Sequence, residues 1–194
     1  MELINKALVI TPTIGSEHLI DCIESVINQS IDTHHLIVVD GADHSLEFDG
    51  IWFKIIDAGY DTRRIDVCKL PFNVGANGFY GHRIYAAFAH LHNYEYTLFL
   101  DEDNWFKPNH VESLILTIKK YNYEFAYSYR SIFSKEKQFQ CVDECESLGL
   151  IPSVGGYHLA DTSSYCFKTS FLKKVAHLWH KGWGADRDFF QAMM

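Results

Sequence analysis

The stretch YTLFLDEDNWFKP, Tyr96 to Pro108, decides the reading of this chain. Tyr96-Thr97-Leu98-Phe99-Leu100 has the length and composition of a buried strand. It stops abruptly in three acids, Asp101, Glu102 and Asp103. If the chain stays extended through them, Asp101 and Asp103 point to one side and Glu102 to the other. Two carboxylates then stand together at the carboxyl end of a strand, where open α/β sheets bind their ligands. Hard oxygen donors beside a crevice suit Mn2+ or Mg2+ shared with a phosphate.

Upstream, KALVIT (Lys6 to Thr11) reads as a buried strand, closed by Pro12 and a turn at Gly15. Ser16 is a predicted helix N-cap, and Leu19, Ile20, Ile23, Val26 and Ile27 give an apolar face to a helix ending near Gln29. HLIVVD (His35 to Asp40) is a second apolar strand that ends in an acid. Strand, helix, strand is a βαβ unit, with its right-handed crossover. Further strands are predicted at Trp52 to Ile56 and Ile65 to Leu70, turn chemistry over Asn73 to Gly78, and a helix over Phe79 to Leu91. Pro108 suits the first turn of a helix ending near Tyr121.

Beyond that the pattern changes. Phe125 to Phe133 reads as one extended strand, Ser163 to Lys168 as a short strand and Phe171 to Trp179 as a helix. The loop Gly182-Trp183-Gly184 leads into a last helix from about Asp186, and residues 134 to 162 stay unassigned. The expectation is a single α/β domain over 1–194. Its mixed, mostly parallel sheet is flanked by helices, with a nucleotide-binding half over about 1–105 and an acceptor half over about 106–194.

Composition narrows the function classes. With 47% hydrophobic and 15% aromatic residues, 194 residues can bury a sizeable core. The net charge of -8 and the lack of a basic cluster speak against nucleic acid as a partner. Five cysteines without a CxxC pair fit reduced thiols rather than zinc, and a cytoplasmic location. No segment approaches the roughly 18 apolar residues of a membrane span, so any membrane contact is expected to be peripheral or through parts absent from this chain.

Parallel strands bring their carboxyl ends together, so Thr11, Asp40, Asp101 and Asp103 are expected to converge on one crevice. Asp186 and Asp188 form another acidic site at a helix start. Each acid alone also has a structural reading: Asp40 as a turn residue, Asp186 as a carboxylate at a helix N-terminus. Their order is more telling. ITPTIG (Ile10 to Gly15), ESVINQS (Glu24 to Ser30), VVDGADHS (Val38 to Ser45), LPFNVGANG (Leu70 to Gly78), LFLDEDNWFKP and GADRDFF (Gly184 to Phe190) follow one another as the motifs of a GT-A glycosyltransferase do. The chain most resembles the family 2 type over about residues 6 to 190.

The resemblance implies a role for each matched position. Thr11, Thr13 and Asp40 would line the base and ribose pocket. Asp101 would face the ribose and the metal shell, and Asp103 would coordinate a Mn2+ or Mg2+ ion bridging the two phosphates. Asp186 would be the general base on the acceptor hydroxyl, with Asp188 the next candidate. The donor would be a nucleotide-sugar, with uridine diphosphate (UDP) as carrier, and the acceptor a carbohydrate or glycoconjugate. His158, Asp161 and Trp183 are candidates for contact with the donor sugar or acceptor. The chain departs from the pattern at Ala185, where an acid is usual, and at His82 and Arg83 after the Asn-x-Gly loop.

Two alternatives stay open. A sugar nucleotidyltransferase usually carries a glycine-rich, basic loop after its first strand, and ITPTIGSEH has one glycine and no lysine or arginine. A non-catalytic carbohydrate- or nucleotide-binding domain could keep the fold, although Asp40, Asp101, Asp103 and Asp186 together argue against that.

Overall fold

Strand β1 (Ala7–Thr13) is buried along its whole length because the sheet is covered on both faces. The computed structural model describes residues 7–143 and 160–193. β2 (Thr33–Val39) runs parallel to β1 on one side, and β4 (Tyr96–Phe99) runs parallel to it on the other. β3 (Ile65–Lys69), β5 (Phe125–Tyr127) and β8 (Tyr165–Lys168) complete a six-stranded sheet of order β3-β2-β1-β4-β8-β5, in which β8 alone runs antiparallel to its neighbours.

Alternate residues of each strand serve opposite faces. Val9, Ile37 and Leu98 pack with Leu19, Ile23 and Val26 of α1 (Leu19–Ile27), with α2 (Ser45–Asp57), and with α4 (His110–Tyr121). Ile10, Val38 and Phe99 face the other way. They meet Tyr85 of α3 (His82–Phe88), Leu172 of α5 (Thr169–Val175), Trp179 and Phe189 of α6 (Ala185–Met193). Trp179 lies on a 3-10 turn after α5, with Phe99, Phe189 and Tyr85 rings around it at 5.1, 5.1 and 6.2 Å. These two layers leave the carboxyl ends of β1, β2 and β4 opening on the same edge.

Four expectations are corrected. Trp52 to Ile56 belongs to helix α2, not to a strand. WFKII is too short for periodicity to decide, and Phe48, Ile51 and Ile55 bury one helical face. Phe125 to Phe133 divides: β5 joins the main sheet, while β6 (Arg130–Phe133) pairs with β7 (Phe139–Asp143) in a separate hairpin. The helix expected from Phe79 starts at His82, because the Phe79 and Tyr80 N–H groups both turn back to the Gly75 carbonyl. Ser16 does not cap α1 through its hydroxyl. The helix begins at Leu19, and the Ser16 carbonyl accepts the Leu19 N–H at 3.1 Å.

Candidate active site

The strand ends do not simply present their acids to solvent. Asp40, just past β2, is 5% exposed, and its two carboxylate oxygens accept the N–H groups of Val74 (2.7 Å) and Gly75 (2.8 Å). It thereby fixes the loop after β3. Gly75 is required there, since a Cβ would stand 2.5 Å from Asp40 Oδ2 and 2.3 Å from the Tyr80 carbonyl oxygen.

Past β4 the chain turns at Glu102-Asp103, with the Asn104 N–H closing on the Asp101 carbonyl at 3.0 Å. The extended alternation expected through the three acids therefore stops at Asp101. Glu102 reaches across to β1: its Oε2 accepts the Thr13 hydroxyl at 2.5 Å and the Ser16 N–H at 3.1 Å. The Thr13 Oγ1 in turn accepts the Gly15 N–H at 2.9 Å. Asp101 accepts the Tyr85 phenol at 2.7 Å, and its own N–H donates to Ser163 Oγ at 3.0 Å. Burial, and then the charge of Asp161, push the Asp101 carboxyl up to about 7, against the lowering effect of the Tyr85 hydrogen bond. Asp103 is exposed.

The far wall comes from the second half. Asp161 caps a 3-10 turn by accepting the Ser163 N–H (3.0 Å), and its other oxygen pairs with Arg130 at 2.6 Å. Asp186 lies in the first turn of α6 and accepts the Arg187 N–H at 2.9 Å. Its carboxyl is raised by burial first, then opposed by that N–H and raised again by the nearby Asp161 charge. Trp183 is 72% exposed, with the Arg187 guanidinium 4.8 Å from its ring.

Together these residues line a crevice of about 500 Å³. Thr13, Asp40, Asp101, Asp103, Asp161, Trp183 and Asp186, all expected from sequence, converge there. Thr11 and Asp188 do not line it. The Thr11 hydroxyl is fully buried, 2.8 Å from His35 Nε2, and Asp188 is an exposed partner of Lys181 at 2.6 Å. His158 lies outside the described residues, as do Tyr157 and Cys145. Sequence reading missed the anchoring roles of Glu102, Tyr85, Ser163 and Arg130. The signal for Glu102 was its place inside the acid triplet; the others follow only from the packing.

Six carboxylates line the crevice, against Arg187 and His82. Among the described residues, no three of Asp, Glu, His or Cys converge tightly enough to hold a metal unaided. The donor set suits Mg2+ or Mn2+, which commonly take one or two carboxylates and complete their shell with water and substrate phosphate.

No curated protein matches the chain by sequence. Among solved structures, S. aureus TarS 1-349 is similar, at 18% identity and a TM-score of 0.62 over 88% of this chain and 49% of that one. TarS 1-349 in complex with UDP gives 15% identity and a TM-score of 0.64 over 95% and 53%. The complex with UDP-GlcNAc gives 17% and 0.61 over 88% and 47%. The chain thus spans about half the length of these TarS chains, and the likeness establishes the GT-A fold. The model of the family described as glycosyl transferase family 2 matches residues 8–144, and the chain belongs to that family.

Proposed function

We propose that the domain transfers a sugar from a nucleotide-sugar, with UDP as the carrier, to a hydroxyl of a carbohydrate or glycoconjugate acceptor. Transfer depends on a divalent metal and inverts the sugar. Family membership and the UDP and UDP-GlcNAc held by TarS support this reading. The carrying observation is electrostatic: a crevice lined by six carboxylates repels a bare diphosphate and accepts one that arrives with a divalent cation. Asp103, and Asp101 behind it, would hold that cation. When bound, Mn2+ or Mg2+ neutralises the charge developing on the departing diphosphate.

The chain's own groups divide the remaining work. Thr13 and the loop pinned by Asp40 shape the base and ribose side. Asp186, with its carboxyl raised by burial and by Asp161, takes the acceptor proton; a base works best when its pKa approaches the working pH. Asp161 and Trp183 flank the sugar. The halves over about 1–105 and 106–194 work as one domain. Among the described residues, Cys22, Cys68, Cys141 and Cys166 are free thiols and no helix is long and apolar enough to cross a membrane. The free thiols fit a reducing, cytoplasmic setting.

The test is thermal stability with UDP, with and without Mn2+, against other nucleoside diphosphates. Ligand at about 100 times its Kd adds about 2.7 kcal/mol, which at roughly 2–4 °C per kcal/mol for a domain of this size is a shift of roughly 5–11 °C. A shift that needs both UDP and Mn2+ is expected. No shift with any nucleotide overturns the reading.

A further inference from the structure

A second crevice, of about 540 Å³, opens on the other side of Asp103 and Asp161, which line both. Its size is that of a small-molecule site, but its walls differ in character from the first. Lys107, Arg130, Lys135 and Lys137 stand against Asp21, Asp103 and Asp161, so cations and carboxylates nearly balance. Arg130 is neutralised by Asp161 and Asp143, and Lys137 by Asp21 at 2.8 Å. Aromatic rings lie among them, tilted against one another. Trp105, 39% exposed, has its ring centre 5.2 Å from that of Phe133, which is itself propped 5.8 Å from Phe139. A half-exposed tryptophan held by a second ring is a preformed platform, and the hydroxyl-bearing Ser128 and Ser131 line the same crevice.

A flat ring, hydroxyl partners and little net charge are what a pyranose needs, with its apolar C–H face and its rim of hydroxyl groups. We propose that this crevice binds the acceptor as a neutral saccharide, one ring laid on Trp105, so that its reactive end meets the donor at Asp103 and Asp161. The inference rests on the glycosyltransferase reading above. It adds the acceptor's chemical class and the residue that selects it.

The test uses an array of neutral and acidic oligosaccharides, with UDP–Mn2+ titration run in parallel on the same protein. Wild type is expected to bind neutral oligosaccharides. Trp105→Ala is expected to weaken that binding at least about tenfold, Trp105→Phe to restore most of it, and UDP–Mn2+ affinity to be equal in all three. If Trp105→Ala does not fold, Phe133→Leu is read the same way. The proposal is overturned by undiminished saccharide binding in Trp105→Ala, by binding of acidic saccharides alone, or by no saccharide binding in a protein that binds UDP–Mn2+. Saccharide binding through Trp105 without any UDP–Mn2+ binding would uphold this subsite and sink the donor reading instead.

Discussion

Glu102 Oε2 accepts the Thr13 hydroxyl at 2.5 Å, tying the end of β4 to the end of β1 across the candidate active site. The same oxygen accepts the Ser16 N–H. An acid that looks like a metal ligand therefore acts as a fastener between two strand ends. Glu102→Ala leaves the Thr13 hydroxyl and an N–H without their partner, a loss of about 1–3 kcal/mol. The expected outcome is a drop in Tm together with weaker UDP–Mn2+ binding. Glu102→Gln keeps an acceptor oxygen and should recover much of both. Unchanged melting in Glu102→Ala would show that the fastener is dispensable.

Asp103→Asn removes an exposed carboxylate from the crevice without touching the core. Nucleotide binding in the presence of Mn2+ should be lost while the unfolding free energy of the ligand-free protein stays within about 0.5 kcal/mol of wild type. Calorimetric titration of UDP with and without Mn2+ checks the first and a denaturant melt the second; wild-type affinity in the variant would move the metal elsewhere.

Asp186→Asn should retain donor binding and lose transfer by about 10²–10⁴-fold, the usual contribution of a positioned base. The pair to measure is UDP–Mn2+ affinity and the turnover of nucleotide-sugar with acceptor. Full turnover would turn attention to Asp188, although its exposed pairing with Lys181 places it outside the crevice.

Acid stability should report on His35. Burial lowers its pKa from 6.5 to about 3, so the folded protein holds it neutral while the unfolded chain protonates it near 6.5. Its contribution to stability is complete above 6.5 and is lost as the pH falls from 6.5 towards 3, with a slope of at most about 1.4 kcal/mol per pH unit. Asp101 acts in the opposite sense. Raised from 3.8 to about 7, it makes the folded state the better proton binder, so stability from this group falls as the pH rises across that window. Denaturant melts of His35→Gln and Asp101→Asn as a function of pH separate the two. His35→Gln should flatten the acid loss, and Asp101→Asn should remove the decline towards neutrality. A profile that neither variant alters would dismiss both assignments.

Much of the frame was readable from sequence because β1, β2 and β4 are buried over most of their length and so appear as near-continuous apolar runs. The crevice was readable in outline because parallel strands end on one edge. Two kinds of information were not local. WFKII became helix because the preceding Phe48 and Ile51 set a helical face with its own Ile55, which five residues alone cannot declare. The work of Asp40 and Glu102 depended on which loops lie beside them: Asp40 meets the backbone of Val74 and Gly75, and Glu102 meets Thr13 and Ser16. Spacing along the chain carries no record of such encounters. Thr11 shows the reverse case, a residue in the right strand whose hydroxyl turns inward to His35.

The β6–β7 hairpin forms its own two-stranded sheet, and on that sheet alone it could pivot freely against the body of the domain. Lys137 paired with Asp21, Phe133 packed on Trp105, and Arg130 together remove that freedom. Arg130 grips Asp143 on the opposite strand and Asp161 on the wall of the candidate crevice, at 2.6 Å in each case. Of these ties the guanidinium is the one that ends in the candidate crevice, so the hairpin is leveraged against Asp161, the carboxylate that raises both Asp101 and Asp186.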